Sequence, residues 1–252
     1  MAQPPPTVLG RPRLHLRSTT STNDRARALA IAGAPHGTLV VTSEQTAGRG
    51  RQGRRWSAPA GSSLLMSLVL RDAPAPLSLL AAVAVCDVVG AQARVKWPND
   101  IVVEDGQALR KLAGILVEGR PQDGWAVLGI GVNVAVGLEE MPAELRETAA
   151  SLGLTAKAIE PMLSDLLGAL DRRLAEPAQA TLEEWRTLDA LRGREVSWGE
   201  SRGDEQAGRG GRHGRAEGID REGRLLVKSR DGQRVALDAG EVHLHNGALD
   251  RS

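Results

Sequence analysis

Nine residues, Gly48 to Trp56 (GRGRQGRRW), contain four arginines and three glycines and end in a tryptophan. Glycines let backbone N–H groups converge on an anion without Cβ obstruction, and arginine forks match phosphate or carboxylate oxygens. Taken alone, such a run reads equally well as a solvated, charged turn. Two neighbours argue for a ligand. The run follows GTLVVTSEQ, a β-branched stretch that reads as a buried strand, and strand ends are where ligand loops sit. Trp56 adds an apolar surface that a solvated turn does not need. Three more segments share this character. KWPND (96–100) puts a cation, an aromatic, a rigid residue and two polar side chains at a strand end. KLAGILVEG (111–119) places Lys111 at the head of an apolar strand, with Gly114 where the backbone allows close approach. GIGVNV (129–134) sets Asn133 in a strand interior beside Gly129 and Gly131, a position with a fair claim to face a ligand. Together these residue types describe a site for an anionic substrate.

The elements that must position them follow from pattern. LHLRS (14–18) alternates as a first strand, and STNDRARALAIAG (21–33) reads as a helix opened by a Ser/Thr/Asn cap and closed by Gly33. SSLLMSLVLR (62–71) is a strand, residues 77–92 an Ala/Val/Leu helix, and ARVKWPND (93–100) a strand stopped by Pro98. IVVEDGQALRKLAGILVEG (101–119) forms a hairpin turning at Asp105-Gly106, and WAVLGIGVNV (125–134) an interior strand. From 156 to about 190, the spacing of Ile159, Leu163, Leu166, Leu167, Leu170 and Leu174 is helical. After Leu191 come short strands separated by Gly-containing turns, the pattern of a small barrel. The expected organisation is a Pro-rich disordered tail (1–13), a catalytic domain (14–190), and a C-terminal domain (191–252) with a flexible polar insertion at 200–213.

Bulk properties narrow the function. A chain of 252 residues holds one ordinary catalytic domain and a small second one. Its 41% hydrophobic and 25% charged content is that of a globular protein, and a net charge of +1 excludes a general nucleic-acid binder. The single cysteine, Cys86, excludes an internal disulfide framework and reads as a packed core thiol. No secretory h-region opens the chain and no 18-residue apolar run occurs, so a cytoplasmic location is expected. Phe and Tyr are absent, leaving Trp56, Trp97, Trp125, Trp185 and Trp198 for any aromatic stacking. Among His15, His36, His213, His243 and His245 only the His-x-His pair at 243–245 has close spacing, and its default reading is solvent exposure.

Taken in order, Ser21-Thr22-Asn23, Gly48 to Trp56, Lys96 to Asp100, Lys111 to Glu118 and Gly129 to Asn133 resemble the motifs of the biotin–protein ligase family. The resemblance covers roughly residues 14–155 with motifs, and the C-terminal barrel more loosely. It implies an α+β fold: a biotinyl/lipoyl ligase-type catalytic domain, with a mixed sheet and flanking helices, followed by an SH3-like barrel. It also implies a reaction, in which ATP and biotin give biotinyl-5′-AMP and biotin then passes to a lysine of a biotin carboxyl carrier domain. Joining two anions needs concentrated cations and Mg²⁺ more than a general base.

By the same resemblance, Arg49, Arg51 and Lys111 are the catalytic cations. Ser21, Thr22, Asn23, Gln45, Gly48, Trp56 and Gly114 join them around biotin, with Ser21, Thr22 and Gln45 on its ureido ring. Around ATP the expected residues are Arg49, Arg51, Arg54, Trp56, Lys96, Asn99, Asp100, Lys111 and Asn133, with Asp100 a candidate Mg²⁺ ligand. Arg55 is divided between ligand contact and surface charge. The segment 135–152 lacks the aromatic that some relatives set against adenine, which leaves Leu138, Met141 or Leu152 for that surface. Only about a dozen residues precede the first strand, so no DNA-binding repressor domain and no DNA partner are expected. A homodimer along a sheet edge, as in some relatives, stays open. The competing readings are a lipoate or octanoate ligase of the same fold, whose loop is less Arg-dense, and an Arg-Gly-rich RNA-binding module. The second lacks the Phe and Tyr platforms that such modules use.

Overall fold

The computed structural model describes residues 9–106, 108–120, 123–199, 212–238, 240 and 242–244. Nine strands precede residue 134: β1 (Arg13–Leu16), β2 (Leu39–Thr42), β3 (Gly48–Arg49), β4 (Arg55–Trp56), β5 (Ser63–Arg71), β6 (Ala93–Lys96), β7 (Asp100–Asp105), β8 (Ala108–Arg120) and β9 (Trp125–Asn133). Seven of them form one sheet in the order β1-β2-β5-β9-β8-β7-β6. Only β1 and β2 pair in parallel; every other neighbour is antiparallel. The helices are α1 (Thr22–Ile31), α2 (Leu77–Val89), α3 (Ala143–Arg146), α4 (Ile159–Ala175) and α5 (Ala178–Thr187).

Side-chain alternation divides this sheet into two unlike faces. On β5 and β9 the even residues Leu64, Met66, Leu68, Leu70, Leu128, Ile130 and Val132 enter the main core with α2 and α4. The odd residues Ser67, Gly129, Gly131 and Asn133 face the other way, and there α1 covers only the end built from Val40, Val69, Trp125 and Val127. Glycines and polar side chains in otherwise apolar strands thus mark the uncovered half of one face. Full burial of each core Leu or Val contributes roughly 1.5–3 kcal/mol. That leaves strands this apolar little freedom to slip by one residue, which would invert both faces.

One register irregularity shapes that face. Asp100 pairs with Gly114 and Ile101 with Ala113, but Val102 pairs with Lys111, so Leu112 is the extra residue of a β-bulge. Under strict alternation Lys111 would share the core face with Ala113 and Ile115. The bulge turns it onto the face of Gly114 and Asp100.

A second sheet holds β10 (Glu195–Trp198), β11 (Arg212–Ile219), β12 (Leu225–Ser229), β13 (Arg234–Leu237) and β14 (Val242–Leu244) in the antiparallel order β13-β12-β11-β10-β14. Its inner residues Val196, Ala216, Leu225 and Val227 join the same buried cluster as the seven-stranded sheet, so the core runs on between the two. The connecting chain hydrogen-bonds along the edge of β6, Val95 N–H to the Leu188 carbonyl at 2.8 Å and Ala190 N–H to the Val95 carbonyl at 2.9 Å. No helix among the described residues is long and apolar enough to cross a membrane.

Several expectations change. Residues 9–13, assigned to the tail by composition, are ordered: Leu9 is buried and Gly10 N–H bonds the Gly37 carbonyl at 2.9 Å, anchoring the entry to β1. The tail proper, residues 1–8, lies outside the described residues. The helical stretch from 156 divides into α4 and α5 at Glu176-Pro177, because proline removes the donor that would continue the helix. Arg212 and His213, placed in the insertion, belong to β11, while residues 200–211 lie outside the described residues. The arginine loop carries structure of its own: β3 and β4 pair Gly48 with Trp56 and Arg49 with Arg55 around a short 3-10 turn at Arg51–Gly53.

Candidate functional site

The uncovered half of the sheet floors a cavity of about 500 Å³, roofed by the arginine hairpin and walled by the chain after β9. At one end stands the N-terminus of α1. Ser21 is the residue before the helix, yet its side chain makes no cap; the Gln45 carbonyl Oε1 accepts from the Thr22 N–H at 2.8 Å and from its hydroxyl at 3.2 Å. The Ser/Thr cap expected from sequence is therefore supplied across the fold by Gln45. Asn23 points down onto the sheet, where Ser67 Oγ lies 2.6 Å from its Oδ1 and its amide donates to Glu118 at 2.9 Å. Gly129 is what admits it, since a Cβ there would lie 2.0 Å from Asn23 Oδ1.

Trp56 lies on the sheet beside Gly114 and Gly131. A Cβ at Gly131 would come within 2.7 Å of the indole, and one at Gly114 within 3.0 Å. These two glycines provide a seat for the Trp56 ring. Gly129 and Gly131, noted in sequence as neighbours of Asn133, thus serve to let Asn23 and Trp56 approach the sheet. Gly48 does not line the cavity; a Cβ there would sit 2.4 Å from the Trp56 carbonyl, so its bareness closes the β3–β4 hairpin.

The cations come from three elements. Arg49 pairs with Asp24 of α1 at 2.6 Å and Glu118 of β8 at 2.9 Å, and the hydrogen bond to Asp24 raises its pKa further despite partial desolvation. Arg51 donates to Asn99 Oδ1 at 3.2 Å, and Asn99 donates to the Ile115 carbonyl at 2.8 Å. Lys111 is not the unpaired cation its sequence context suggests. Its Nζ lies 2.6 Å from Asp100 Oδ1 and 5.8 Å from the Trp56 ring centre, with the bulge at Leu112 aiming it there. Asp100 is thereby engaged by a cation, and the described residues contain no group of three His, Cys, Asp or Glu able to hold a metal. This donor set does not fit a metal held by the protein alone. Arg54 and Lys96 also line the cavity, as does Arg55, which donates to the Thr46 carbonyl at 3.2 Å.

Asn133 is buried and its amide donates to the Ala150 carbonyl at 2.9 Å, tying the end of β9 to the wall. Of the three aliphatic residues considered for a base, Met141 lines the cavity. Leu138 packs behind it and Leu152 joins the main core, while Leu145 and Ala149 take their places. Sequence reading missed Ser67, Asp24 and Thr148, together with Gly240, Val242 and His243 of the second sheet, which reach the same cavity. Ser67 had a signal, a hydroxyl alternating with leucines; the others had none. His243 is exposed, as expected from its position on a terminal strand, and also borders the cavity; His245 lies outside the described residues. Cys86 is buried and its thiol is pushed up to about 12 by desolvation, which leaves it inert.

The sequence and the fold both have counterparts among known proteins. Residues 15–134 match the biotin/lipoate A/B protein ligase family, and residues 209–244 match the biotin protein ligase C-terminal domain. The chain is 35% identical to the biotin–[acetyl-CoA-carboxylase] ligase of Paracoccus denitrificans over 247 residues, covering 90% of this chain and 98% of that protein. The chain belongs to the biotin protein ligase family. The bifunctional ligase/repressor BirA of Bacillus spizizenii is 40% identical over 157 residues, covering 58% of this chain. The chain spans about half the length of such Bacillus relatives, 47% and 48%. Among solved structures, the biotin protein ligase from Aquifex aeolicus in complex with biotin and ATP superposes with a TM-score of 0.73 at 23% identity, covering 93% of this chain and 99% of that one.

Proposed function

We propose that the chain activates biotin with ATP to biotinyl-5′-AMP and then transfers biotin to a lysine of a biotin carboxyl carrier domain. The observation that carries this reading is the convergence of Arg49, Arg51 and Lys111 between a polar helix end and an apolar, glycine-lined floor. Biotin is dipolar in the matching way. Its ureido ring needs both donors and acceptors, which Ser21, Thr22 and Gln45 supply. Its aliphatic tail needs the apolar surface of Trp56 over Gly114 and Gly131. Its carboxylate then reaches the cations.

In the first half-reaction a carboxylate oxygen attacks the α-phosphorus. The bond to the bridging oxygen breaks and pyrophosphate leaves with the electron pair. No proton moves, so catalysis rests on charge and alignment. Lys111, fixed by Asp100, and Arg49, fixed by Asp24 and Glu118, are cations whose positions are set before substrate arrives. Arg51, Arg54, Lys96, Asn99 and Asn133 hold the nucleotide, with Met141, Leu145 and Ala149 against its base. Mg²⁺ enters as part of the metal–ATP substrate, since such ions are bound largely through phosphate and water oxygens. Asp100 is assigned to orienting Lys111. In the second half-reaction the acceptor amine attacks the acyl carbon and AMP departs. Closure of the arginine hairpin keeps water off the mixed anhydride in between.

The test is mass-spectrometric detection of biotinyl-5′-AMP after incubation with biotin and Mg·ATP without acceptor, then of a 1:1 biotinylated carrier domain after its addition. Failure to form the adenylate with folded protein would overturn the proposal.

A further inference from the structure

The second domain reaches the cavity through Gly240, Val242 and His243, so where it docks affects the shape of the site. Beside the shared apolar core, one buried side-chain hydrogen bond ties that domain to the larger sheet. Trp97 is 2% exposed and donates its indole N–H to the Gly223 carbonyl at 3.0 Å. It occupies the middle of the segment Lys96 to Asp100, the whole of which borders the cavity, with the Trp97 side chain almost fully buried in the wall. Alternation along β6 explains its burial: Ala93, Val95 and then Trp97 look to the core, while Arg94 and Lys96 look the other way.

The carbonyl that Trp97 meets is itself held rigidly. It lies in a turn where Asp220 Oδ1 accepts from the N–H groups of Glu222 and Arg224 at 3.0 and 2.8 Å. From the other side Arg186 of α5 donates to the Ile219 and Asp220 carbonyls. Gly223 has φ +81, and a Cβ there would fall 2.6 Å from Leu79 Cδ1 of α2. The turn is therefore clamped between α2, α5 and Trp97.

We infer that Trp97 is a positioning residue for the nucleotide end of the cavity, seating the C-terminal domain against the turn that carries Lys96, Asn99 and Asp100. The inference rests on the nucleotide-binding part of the proposed function. At 2% exposure the Trp97 indole has almost no surface to offer a ligand. It acts by fixing the cavity wall from behind, and the helix-α1 end, where Thr22 and Gln45 sit, is built without it.

The experiment is calorimetric titration of the full chain, with a non-hydrolysable ATP analogue and with biotin separately. Trp97→Phe keeps a core aromatic and removes only the donor. Nucleotide affinity should fall roughly tenfold, the size of one lost hydrogen bond, while biotin affinity stays within twofold. Gly223→Ala disturbs the same contact from the opposite side and should give the same split, which keeps the test decisive if Trp97→Phe does not fold. Arg234→Ala, an exposed change elsewhere in the C-terminal domain, should alter neither. Unchanged nucleotide affinity in a variant of lowered thermal midpoint would show a purely structural tryptophan, and equal loss of both ligands would show general loosening. Either result overturns the inference. Wild-type protein that binds nucleotide but not biotin would instead count against the proposed substrate, leaving the nucleotide arm readable.

Discussion

Replacing Gly131 by alanine tests whether the Trp56 seat governs the site. The added methyl would sit 2.7, 2.9 and 3.1 Å from three atoms of the indole, against the 3.5–4.0 Å at which carbon atoms pack. The ring must therefore rise off the strand by about 1 Å. Movement goes upward into the cavity and takes β4 and the hairpin with it, because Trp56 pairs with Gly48. A misplacement of about 1 Å at a catalytic site costs on the order of 100-fold in rate, whereas overpacking a methyl costs about 1–3 kcal/mol of stability. The assay is ATP–pyrophosphate exchange at saturating Mg·ATP with biotin varied, alongside thermal unfolding. kcat/KM for biotin should fall about 100-fold in a protein that still unfolds cooperatively. A folded Gly131→Ala protein within threefold of wild type would refute the argument that the glycine exists to seat the tryptophan.

Other outcomes follow from the same geometry. Lys111→Ala should lower adenylate formation on the order of 10²–10³-fold, whereas Arg55→Ala, an exposed cation bonded to a backbone carbonyl, should cost less than about tenfold; equal losses in exchange assays would show that general charge, not placement, matters. Asn23→Ala removes the amide that meets Ser67 and Glu118 and should weaken biotin binding by titration calorimetry, about tenfold; unchanged affinity would reassign Asn23 to the scaffold alone. Burial pushes the Asp189 carboxyl up to about 6, and its Oδ2 is buried without a hydrogen-bond partner. The folded chain therefore holds this proton more tightly than the unfolded chain, and stability falls as pH rises from 3.8 through about 6. Asp189→Asn should raise the urea midpoint at pH 8 by the equivalent of about 2–3 kcal/mol and leave it nearly unchanged at pH 4; a gain equal at both pH values would remove the titration argument. Gly168→Ala in α4, where only the tip of Arg172 comes within 4 Å, should stabilise by about 0.5–1 kcal/mol without altering exchange activity; a lowered unfolding midpoint would show hidden crowding in α4.

Much of this was legible in sequence because β5 and β9 are near-continuous apolar runs that the site glycines and polar residues interrupt. Ser67, Gly129, Gly131 and Asn133 stand where leucine or valine would otherwise be, so the unusual face announces itself. What pattern alone could not supply were features fixed by partners far along the chain. Gln45 caps α1 from 23 residues away, a contact that no local cap rule anticipates. The bulge at Leu112 depends on how β8 settles against β7, and strict alternation would have sent Lys111 into the core. The acids that hold Arg49 lie on α1 and β8. Trp97 and Trp56 look alike in sequence, each the one aromatic of a polar motif. Parity sends the first to the domain junction and the second to the cavity floor.

The central claim is that this cavity activates biotin in particular, through cations set between a polar helix end and the Trp56 floor. ATP–pyrophosphate exchange, run on the same protein with biotin, lipoate and octanoate in parallel at equal concentration, tests it most directly. The account predicts Mg²⁺-dependent exchange with biotin, with rates at least 100-fold lower for the two acids that lack a ureido ring for Thr22 and Gln45. Exchange supported by lipoate or octanoate and not by biotin would contradict it.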